Sequence, residues 1–400
     1  MANSLSPSFA DYWSRRMQVI HERIDVFRAV ASFEEQERLT KGDVVHRPLR
    51  SSLAAVTYTR GTAVTIQDIT DTDESLTVDQ AKIVPFYVDD LDALQHNYRV
   101  INEYADDATV KLSNRIDGDL LGEYDQADHK VDNVEINGGT AGDGFTLTTA
   151  NVQKTFAVAL KKLQRDGKIS PNKLFAIISA DFQQVLLEYL AGKESSLGDS
   201  TGLNGHVGKY YGFDLYVSNS TGWSADLVMG SACTADDTIV INGVTLTAKA
   251  SPTVAGEFDV EGSAGAQITT IVTFVNAPGT TTSGEQVALS QANQNLLANI
   301  TATDATTKIT FKAEGWGTVT VSETLTATAD VWTAARQIQH NLFGQKGATD
   351  IVIQKRPNVE IKEVPDKLGK NILCWTLYGL KTFDEGDAKL VDVRVRSDAF

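Results

Sequence analysis

Residues 83–107 have the sequence IVPFYVDDLDALQHNYRVINEYADD, which joins an extended segment directly to a long helix. The extended segment, Gly42 to Val88, alternates and carries turn residues, but it has too few apolar positions to form a core by itself. An arm that cannot bury itself must contact a surface elsewhere, most simply on another copy of the chain. The order of the two elements therefore indicates a subunit of an assembly rather than a self-contained enzyme.

The second element is predicted to be a helix from Asp89 to about Tyr124. Asp89 or Asp90 can cap its N-terminus. At ~1.5 Å per residue, thirty-odd residues form a rod of roughly 50 Å, and we expect it to be a spine on which other elements pack. Its apolar residues recur every three or four positions and so share one face: Leu91, Leu94, Tyr98, Ile101, Ala105, Ala108, Leu112, Ile116 and Leu120.

Composition and charge restrict the possible functions. With 42% apolar and 22% charged residues, the 400-residue chain belongs to the ordinary globular class. Its formal net charge of −16 disfavours non-specific binding of nucleic acid, and it suits a wall that must not adhere to DNA. Cys233 and Cys374 are far apart, so we expect neither a disulfide framework nor a zinc knuckle, and the chain suits a reducing cytoplasm. No signal-peptide pattern and no membrane span are recognisable.

No catalytic constellation stands out. The six histidines form no HxxxH pair, and residues 202–209 fail as a phosphate loop because Tyr210 follows the lysine where serine or threonine is needed. The acidic run at 68–74 lacks the glycine and the final glutamate of a calcium loop. We therefore expect no enzymatic activity, no cofactor and no metal site.

Two segments contain our candidate residues for contacts between subunits. Residues 8–38 are predicted to form an amphipathic helix that packs either on its own domain or on a neighbour. The excursion 42–88 is too long for a structureless loop unless it is functional. Its charges either pair across subunits or only keep the loop soluble. The candidates are Trp13, Met17 and Ile20 on the helix, Arg47, Arg50 and Arg60 on one limb of the excursion, and Asp68, Asp71, Asp73 and Glu74 on the other.

Residues 233–332 differ in composition from the rest of the chain. They contain 21 threonines, and only three basic residues against ten acidic ones. Asn242-Gly243 lies between two alternating stretches, which is a strong signal for a hairpin. We predict an all-β insertion domain, a small β-sandwich or β-barrel, with at most one short helix near residues 289–297.

The sequence around this insert mixes helix and strand. In the last strand Val391, Val393 and Val395 alternate with polar residues, so we expect one buried face and one wet face. The insert therefore interrupts a mixed α+β fold. Helices are predicted over 148–166, 181–190 and 331–342, and strands over 174–179, 213–218, 227–230, 350–354, 359–364, 372–380 and 390–395.

This order of elements resembles the major capsid protein of tailed bacteriophages, with the Hong Kong 97-like capsid fold. Local sequence contributes to the resemblance at Gly42–Val45, Leu76–Gln80 and Phe86–Asp92, and it covers about 1–230 and 333–400. The resemblance implies an N-terminal arm (1–41), an extended β loop (42–88), a spine helix and peripheral domain (89–171), an axial domain (172–232), the insert (233–332), an axial return (333–349) and peripheral C-terminal strands (350–400).

The resemblance also implies a function. The chain would self-assemble, as pentamers and hexamers, into the icosahedral shell around the double-stranded DNA genome, which it would contact without sequence specificity and without a membrane. Assembly would occur in the host cytoplasm with separate scaffolding, portal and possibly decoration proteins. Residues 47–81 contain no lysine, so we expect non-covalent contacts in place of the lysine crosslinks of some members. About 40 residues precede the loop, so scaffolding is expected from a separate protein.

Two other readings stay open at this point. An encapsulin-like bacterial compartment shares the fold, although such shells usually lack a β insert. A phage tail or adhesin protein with a ligand-binding β module predicts small oligomers in place of shells. The sequence does not choose a role for the insert, and it gives neither the shell size nor the host.

Overall fold

The computed structural model describes residues 26–37, 42–50, 53–64, 66–89, 100–165, 173–193, 208–313, 317–326, 336–363 and 369–396. In chain order, the first part contains α1 (Phe27–Val30), β1 (Val44–Arg50), β2 (Asp71–Thr77), β3 (Gln80–Asp89), α2 (Val100–Leu121), a 3₁₀ turn (Gly122–Gln126), β4 (His129–Val131), α3 (Asn133–Asn137), α4 (Val152–Arg165), β5 (Leu174–Ile178), α5 (Ala180–Ala191), β6 (Lys209–Tyr210), β7 (Phe213–Val217) and β8 (Gly222–Val228).

The second part begins at the predicted insert. It contains β9 (Thr238–Ile241), β10 (Val244–Lys249), β11 (Glu257–Asp259), α6 (Ala264–Asn276), α7 (Gln291–Leu297), β12 (Ile300–Ala305), β13 (Lys308–Ala313), β14 (Val321–Glu323), β15 (Gln337–Gln345), β16 (Thr349–Glu363), β17 (Gly369–Thr382), α8 (Asp384–Asp387) and β18 (Leu390–Arg396). The mixed α+β class predicted from the sequence is confirmed.

A nine-stranded sheet organises the described residues. Its main path is β12-β13-β8-β15-β5-β7-β6, and β18 joins β15 to β4 at one side. Helices α4 and α5 cover one face, where Phe156 and Phe182 pack against Phe343 of the central strand β15. Apolar side chains cover both faces of β5, which buries all five of its residues.

The long helix α2 lies on a second sheet, of three strands in the order β16-β17-β3. Ala105, Ala108 and Leu112 pack on Val88 and Ile372 of this sheet, and Ile116 and Leu120 pack on Ile351 and Tyr378. The predicted stripe is therefore confirmed as the buried face from Ala105 to Leu120, whereas Leu91, Leu94 and Tyr98 lie outside the described residues. Within the described residues the helix spans Val100–Leu121, and Asp89, considered above as its cap, is the last residue of β3.

The insert is not all-β, which corrects the prediction. It contains α6 and α7 beside its strands. The threonine and β-branched residues of α6 favour strand, but Ser263 caps the helix, and Ile268, Ile271 and Val275 have helical spacing and are buried. Burial in an apolar cluster that includes residues of β12, β13 and the four-stranded sheet β11-β10-β9-β14 outweighs the intrinsic preference of these residues.

The insert also shares a sheet and a core with the rest of the chain. Strand β13 pairs with β8, which begins before the compositional change at residue 233. Ala225, Leu227 and Met229 belong to the same apolar cluster as the insert. The change in composition therefore does not coincide with a boundary of the sheet, and the domain division given above stays a prediction.

Two other secondary-structure predictions were wrong. Residues 337–342, predicted as helix, belong to strand β15. Ile338 and Leu342 are four apart, a spacing that fits one face of either a helix or a strand. The face of β18 that was expected to be exposed to solvent is partly covered, because Asp392 is fully buried beside β15.

The N-terminal helix was predicted over 8–38. Residues 26–37 are helical only at Phe27–Val30, and residues 34–37 form a turn. Ser32 makes a bridge to Asp350 of β16, so this segment continues as an extended chain along a sheet edge. The remainder of the predicted helix lies outside the described residues.

Candidate subunit interface

The excursion between residues 44 and 77 is a two-stranded antiparallel ribbon, formed by β1 and β2. All seven residues of β1 pair in register, from Val44 opposite Thr77 to Arg50 opposite Asp71. Alternate β1 residues are exposed, and none of its seven residues is buried. Two strands alone do not form a stable unit in water, so the ribbon needs support at its base and contacts elsewhere.

Beyond the ribbon, residues 53–64 and 66–70, here the tip loop, have no regular secondary structure. The side chain of Gln67 ties the two limbs, because its amide donates to the Ala54 carbonyl and accepts from the Ala54 N–H, at 2.7 and 3.0 Å. Six large apolar residues of the tip loop are between 58% and 88% exposed: Leu53, Val56, Tyr58, Val64, Ile66 and Ile69. A concentration of exposed apolar side chains marks an interaction surface.

The base of the ribbon is held firmly by the rest of the chain. Leu76 is fully buried against Val352 and Phe383. The N–H of Asp384 donates to Glu74 Oε2 at 3.1 Å. A side-chain carbon at Gly379 would collide with the Thr77 carbonyl, so β17 and the end of β2 are in close backbone contact. An anchored base and a solvated apolar tip are what an arm that contacts another molecule requires.

Arg47 forms a clamp at this base. Its Nη2 donates to Glu35 Oε1 and its Nη1 pairs with Asp350 Oδ2, both at 2.8 Å. Its guanidinium also lies 4.3 Å from the Phe383 ring centre. Burial would lower the pKa of Arg47, but the two carboxylates outweigh it and raise that pKa. Burial raises the pKa of Asp350, although the Ser32 hydroxyl and Arg47 oppose the change.

The charged residues predicted from the sequence have different surroundings. Arg47 pairs within its own chain, His46 pairs with Asp73 at 2.7 Å, and Glu74 accepts from a backbone N–H. The structure gives no ion pair between Arg50, Arg60, Asp68 or Asp71 and any other described residue. Their role between subunits stays a prediction. Trp13, Met17 and Ile20 lie outside the described residues.

A second polar constellation, which the sequence did not reveal, lies inside the central sheet. Ser224 Oγ is 2.8 Å from His340 Nε2, and His340 Nδ1 is 2.8 Å from Asp392 Oδ1. Asp392 also accepts from Arg394, and the Tyr124 ring stacks on His340 with its centre 3.6 Å away. Burial would raise the pKa of Asp392, but His340 and Arg394 lower it below its usual value.

This constellation has the residue types of a hydrolase triad but not its accessibility. Ser224, His340 and Asp392 are all buried, on three adjacent strands. A nucleophile without access to a substrate cannot act on one. The hydrogen bonds of the network join β8, β15 and β18 and fix their register. Residues 198–202 (GDSTG) match a hydrolase pattern by their letters, and they lie outside the described residues.

The described residues contain no group of three or more His, Cys, Asp or Glu side chains that could hold a metal ion. None of the helices in that part of the chain is long and apolar enough to cross a membrane.

Comparison with known proteins finds solved structures that are similar to this chain, but no match by sequence. No protein-family model matches the chain, and no curated protein matches it. A solved structure from Mycobacterium phage Che8 matches with a TM-score of 0.60 at 15% identity, over 97% of this chain and 98% of that chain. The capsid structure of cyanophage P-SCSP1u matches with a TM-score of 0.54 at 10% identity, over 96% of this chain and 92% of that one.

The asymmetric unit of the bacteriophage PhiM1 mature capsid also matches, with a TM-score of 0.51 at 12% identity, over 97% of this chain and 92% of the other. The fold is that of a tailed-phage capsid protein. The resemblance seen in the sequence is therefore confirmed for the fold. The second and third of these neighbours are described as capsid structures.

Proposed function

We propose that this chain is the major capsid protein of a tailed bacteriophage, which self-assembles into the shell around a double-stranded DNA genome. The observation that carries the proposal is the combination of a full-length capsid fold with an arm whose apolar tip is solvated in the single subunit. In the shell the tip loop contacts a neighbouring subunit, and burial of its apolar side chains stabilises that contact.

Each contact of this kind is weak and many act together. Exposed ion pairs contribute only ~0–1 kcal/mol each, so the charged residues of the ribbon add orientation more than affinity. Arg50, Arg60, Asp68 and Asp71 serve this role in the proposal, because they are the candidate charges without an ion pair to another described residue. The contacts are non-covalent, since residues 47–81 contain no lysine.

The proposed partners follow from the same function. The chain forms pentamers and hexamers with copies of itself, and it needs separate scaffolding and portal proteins, with decoration proteins a further possibility. The net charge of −16 is compatible with packaged DNA that the wall does not bind tightly. Assembly takes place in the host cytoplasm and the product is the virion capsid.

Electron microscopy of the purified chain, expressed alone and with neighbouring phage genes, tests the class of assembly. Closed shells are expected, and their contents separate a viral head from a bacterial compartment that encloses a cargo enzyme. Monomers or small rings in both preparations would reject the capsid proposal and favour the tail or adhesin reading.

Two variants test the arm. Ile66→Ser/Ile69→Ser removes the two most exposed large apolar side chains of the tip loop, at 88% and 72%, and Arg60→Glu reverses a tip charge. Both are expected to reduce the yield of shells. The matched control is Val254→Ser, a 60% exposed position in the insert. Normal shells from both arm variants would exclude the tip loop as the contact.

A further inference from the structure

We propose that Arg47 couples the N-terminal segment, residues 26–37, to the β1–β2 ribbon, so that displacement of either one loosens the other. The inference goes beyond the proposed function because it concerns two parts of one subunit. It rests on three sets of contacts around the clamp.

The clamp itself joins three parts of the chain. Arg47 belongs to β1, Glu35 to the N-terminal segment and Asp350 to β16. The two carboxylate side chains are each only 6% exposed, whereas Arg47 is 31% exposed. A single guanidinium therefore pairs with two buried carboxylates on different elements. Removing it would take one ion pair from each of two poorly solvated carboxylates, which is unfavourable.

The N-terminal segment is held mainly along the edge of β16. The N–H of Ser32 donates to the Thr349 carbonyl at 2.9 Å, and the Ile351 N–H donates to the Ser32 carbonyl at 3.0 Å. The Gln36 side chain pairs with the Ile353 N–H and carbonyl, both at 2.8 Å. These contacts place Glu35 beside Asp350, where the two carboxylates repel each other unless a cation lies between them.

The base of the ribbon also contacts β16, because the Gln354 side chain donates to the Gly42 carbonyl. The two limbs of the ribbon are joined at this base, where the Val78 N–H donates to the Asp43 carbonyl at 2.7 Å. Inward-facing Arg47 is the β1 residue with ion pairs to the rest of the chain, whereas Arg50 faces outward on the same strand. If the ribbon swings away, Glu35 and Asp350 each lose their ion pair with Arg47, and the segment is held less tightly on β16.

Arg47 therefore adds a side-chain link between the N-terminal segment and the ribbon to the chain connection between residues 37 and 42. A partner that binds the N-terminal segment and shifts it from β16 lowers the cost of moving the ribbon, and a contact at the ribbon changes the segment by the same free energy. No change in the central sheet is needed for this coupling.

Hydrogen–deuterium exchange on the full-length chain, with all variants in one oligomeric state, tests the coupling. Glu35→Gln changes only the N-terminal segment, yet it is expected to raise exchange in ribbon residues 44–50 and 71–77 by about threefold or more. Arg47→Met/Asp350→Asn changes the ribbon and β16 without leaving Asp350 charged. It is expected to raise exchange in residues 32–37 by a similar factor.

Three controls make the result specific. Arg50→Met changes an outward-facing arginine on the same strand, and Glu37→Gln changes an exposed residue two positions from Glu35; neither is expected to alter the other element. Arg47→Lys keeps the charge but cannot form both fixed ion pairs at once, so an intermediate increase is expected. Combining Glu35→Gln with Arg47→Lys should add less than the sum of the two, because both act on one network.

Exchange that rises only in the element carrying each substitution would overturn the coupling. Equal effects from Arg50→Met or Glu37→Gln would overturn it as well, since they would show a general response to lost charge. The measurement needs no assembled shell, so its failure is distinct from failure of the proposed function.

Discussion

The tip loop and strand β5 are both rich in aliphatic residues, yet these residues are exposed in the tip loop and buried in β5. Strand β5, with the sequence LFAII, buries every side chain in the central sheet. The tip loop leaves Leu53, Val56, Ile66 and Ile69 largely in solvent. The same chemical type of residue thus forms the core in one region and an unpartnered surface in the other.

The difference arises from how many layers surround each segment. Strand β5 has hydrogen-bonded neighbours on both edges and side-chain clusters on both faces. The tip loop extends from a ribbon of only two strands, and the described residues of its own subunit provide no layer on which it packs. Stability is therefore concentrated in the sheets, and capacity for assembly in the arm.

The largest effect is expected in the central sheet. Phe343→Ala removes a fully buried ring that packs on Phe156 and Phe213 with centres 5.1 and 5.5 Å away. We expect a loss of about 3–5 kcal/mol in the free energy of unfolding, measured by denaturant titration of the unassembled subunit. A loss below about 1 kcal/mol would mean that this region is not the main source of stability.

A smaller effect is expected where the sheet meets the arm. Gly379→Ala places a methyl group against the Thr77 carbonyl, so the ribbon base must shift. We expect the free energy of unfolding to fall by about 1–3 kcal/mol. We also expect faster proteolysis of the ribbon and the tip loop. Gly262→Ala is the control, since nothing lies within 4 Å of the added carbon there. Equal behaviour of the two variants would show that the ribbon does not press on β17.

A pH-dependent effect is expected beside the same base. Burial raises the pKa of Asp387 to about 6, and the charges of Asp384 and Glu74 add to this while Lys381 opposes it. The folded carboxyl thus keeps its proton below pH ~6, and the unfolded one only below ~4. This contribution to stability is present at low pH and is lost as the pH rises through about 6.

Asp387→Asn imitates the protonated state of this carboxyl. After allowance for solvent screening, we expect a gain of up to ~1 kcal/mol at pH 8 and none at pH 4, from thermal unfolding at the two pH values. Asp68→Asn in the tip loop serves as the control. A gain of equal size at pH 4 would contradict the assignment to Asp387.

The smallest effect on stability is expected from the tip loop itself. Ile66→Ser/Ile69→Ser should change the free energy of unfolding by less than about 0.5 kcal/mol per site, because both side chains are already solvated. The same variant should still reduce shell yield. Clear destabilisation of the isolated subunit would place these side chains in an intrachain contact and weaken the comparison.

Much of this arrangement could be predicted from the sequence because its signals are local. The spacing of Ala105, Ala108 and Leu112 defined the buried face of α2, and Asn242-Gly243 adopts the positive φ angles of the expected hairpin turn. The predictions failed where tertiary burial outweighed local preference, as in α6 and β15. There a threonine-rich stretch became a helix, and a stretch with helical spacing became the central strand.

The sequence by itself determined the order of the elements, the apolar stripe of the spine helix and the presence of an arm that its own subunit cannot bury. Each follows from periodicity and composition along the chain. Only the tertiary structure decided that Arg47 pairs with Glu35 and Asp350, that Ser224, His340 and Asp392 meet inside the sheet, and that the insert shares its core with β8. Such contacts join residues as many as 303 positions apart (350 − 47), so no local pattern can specify them.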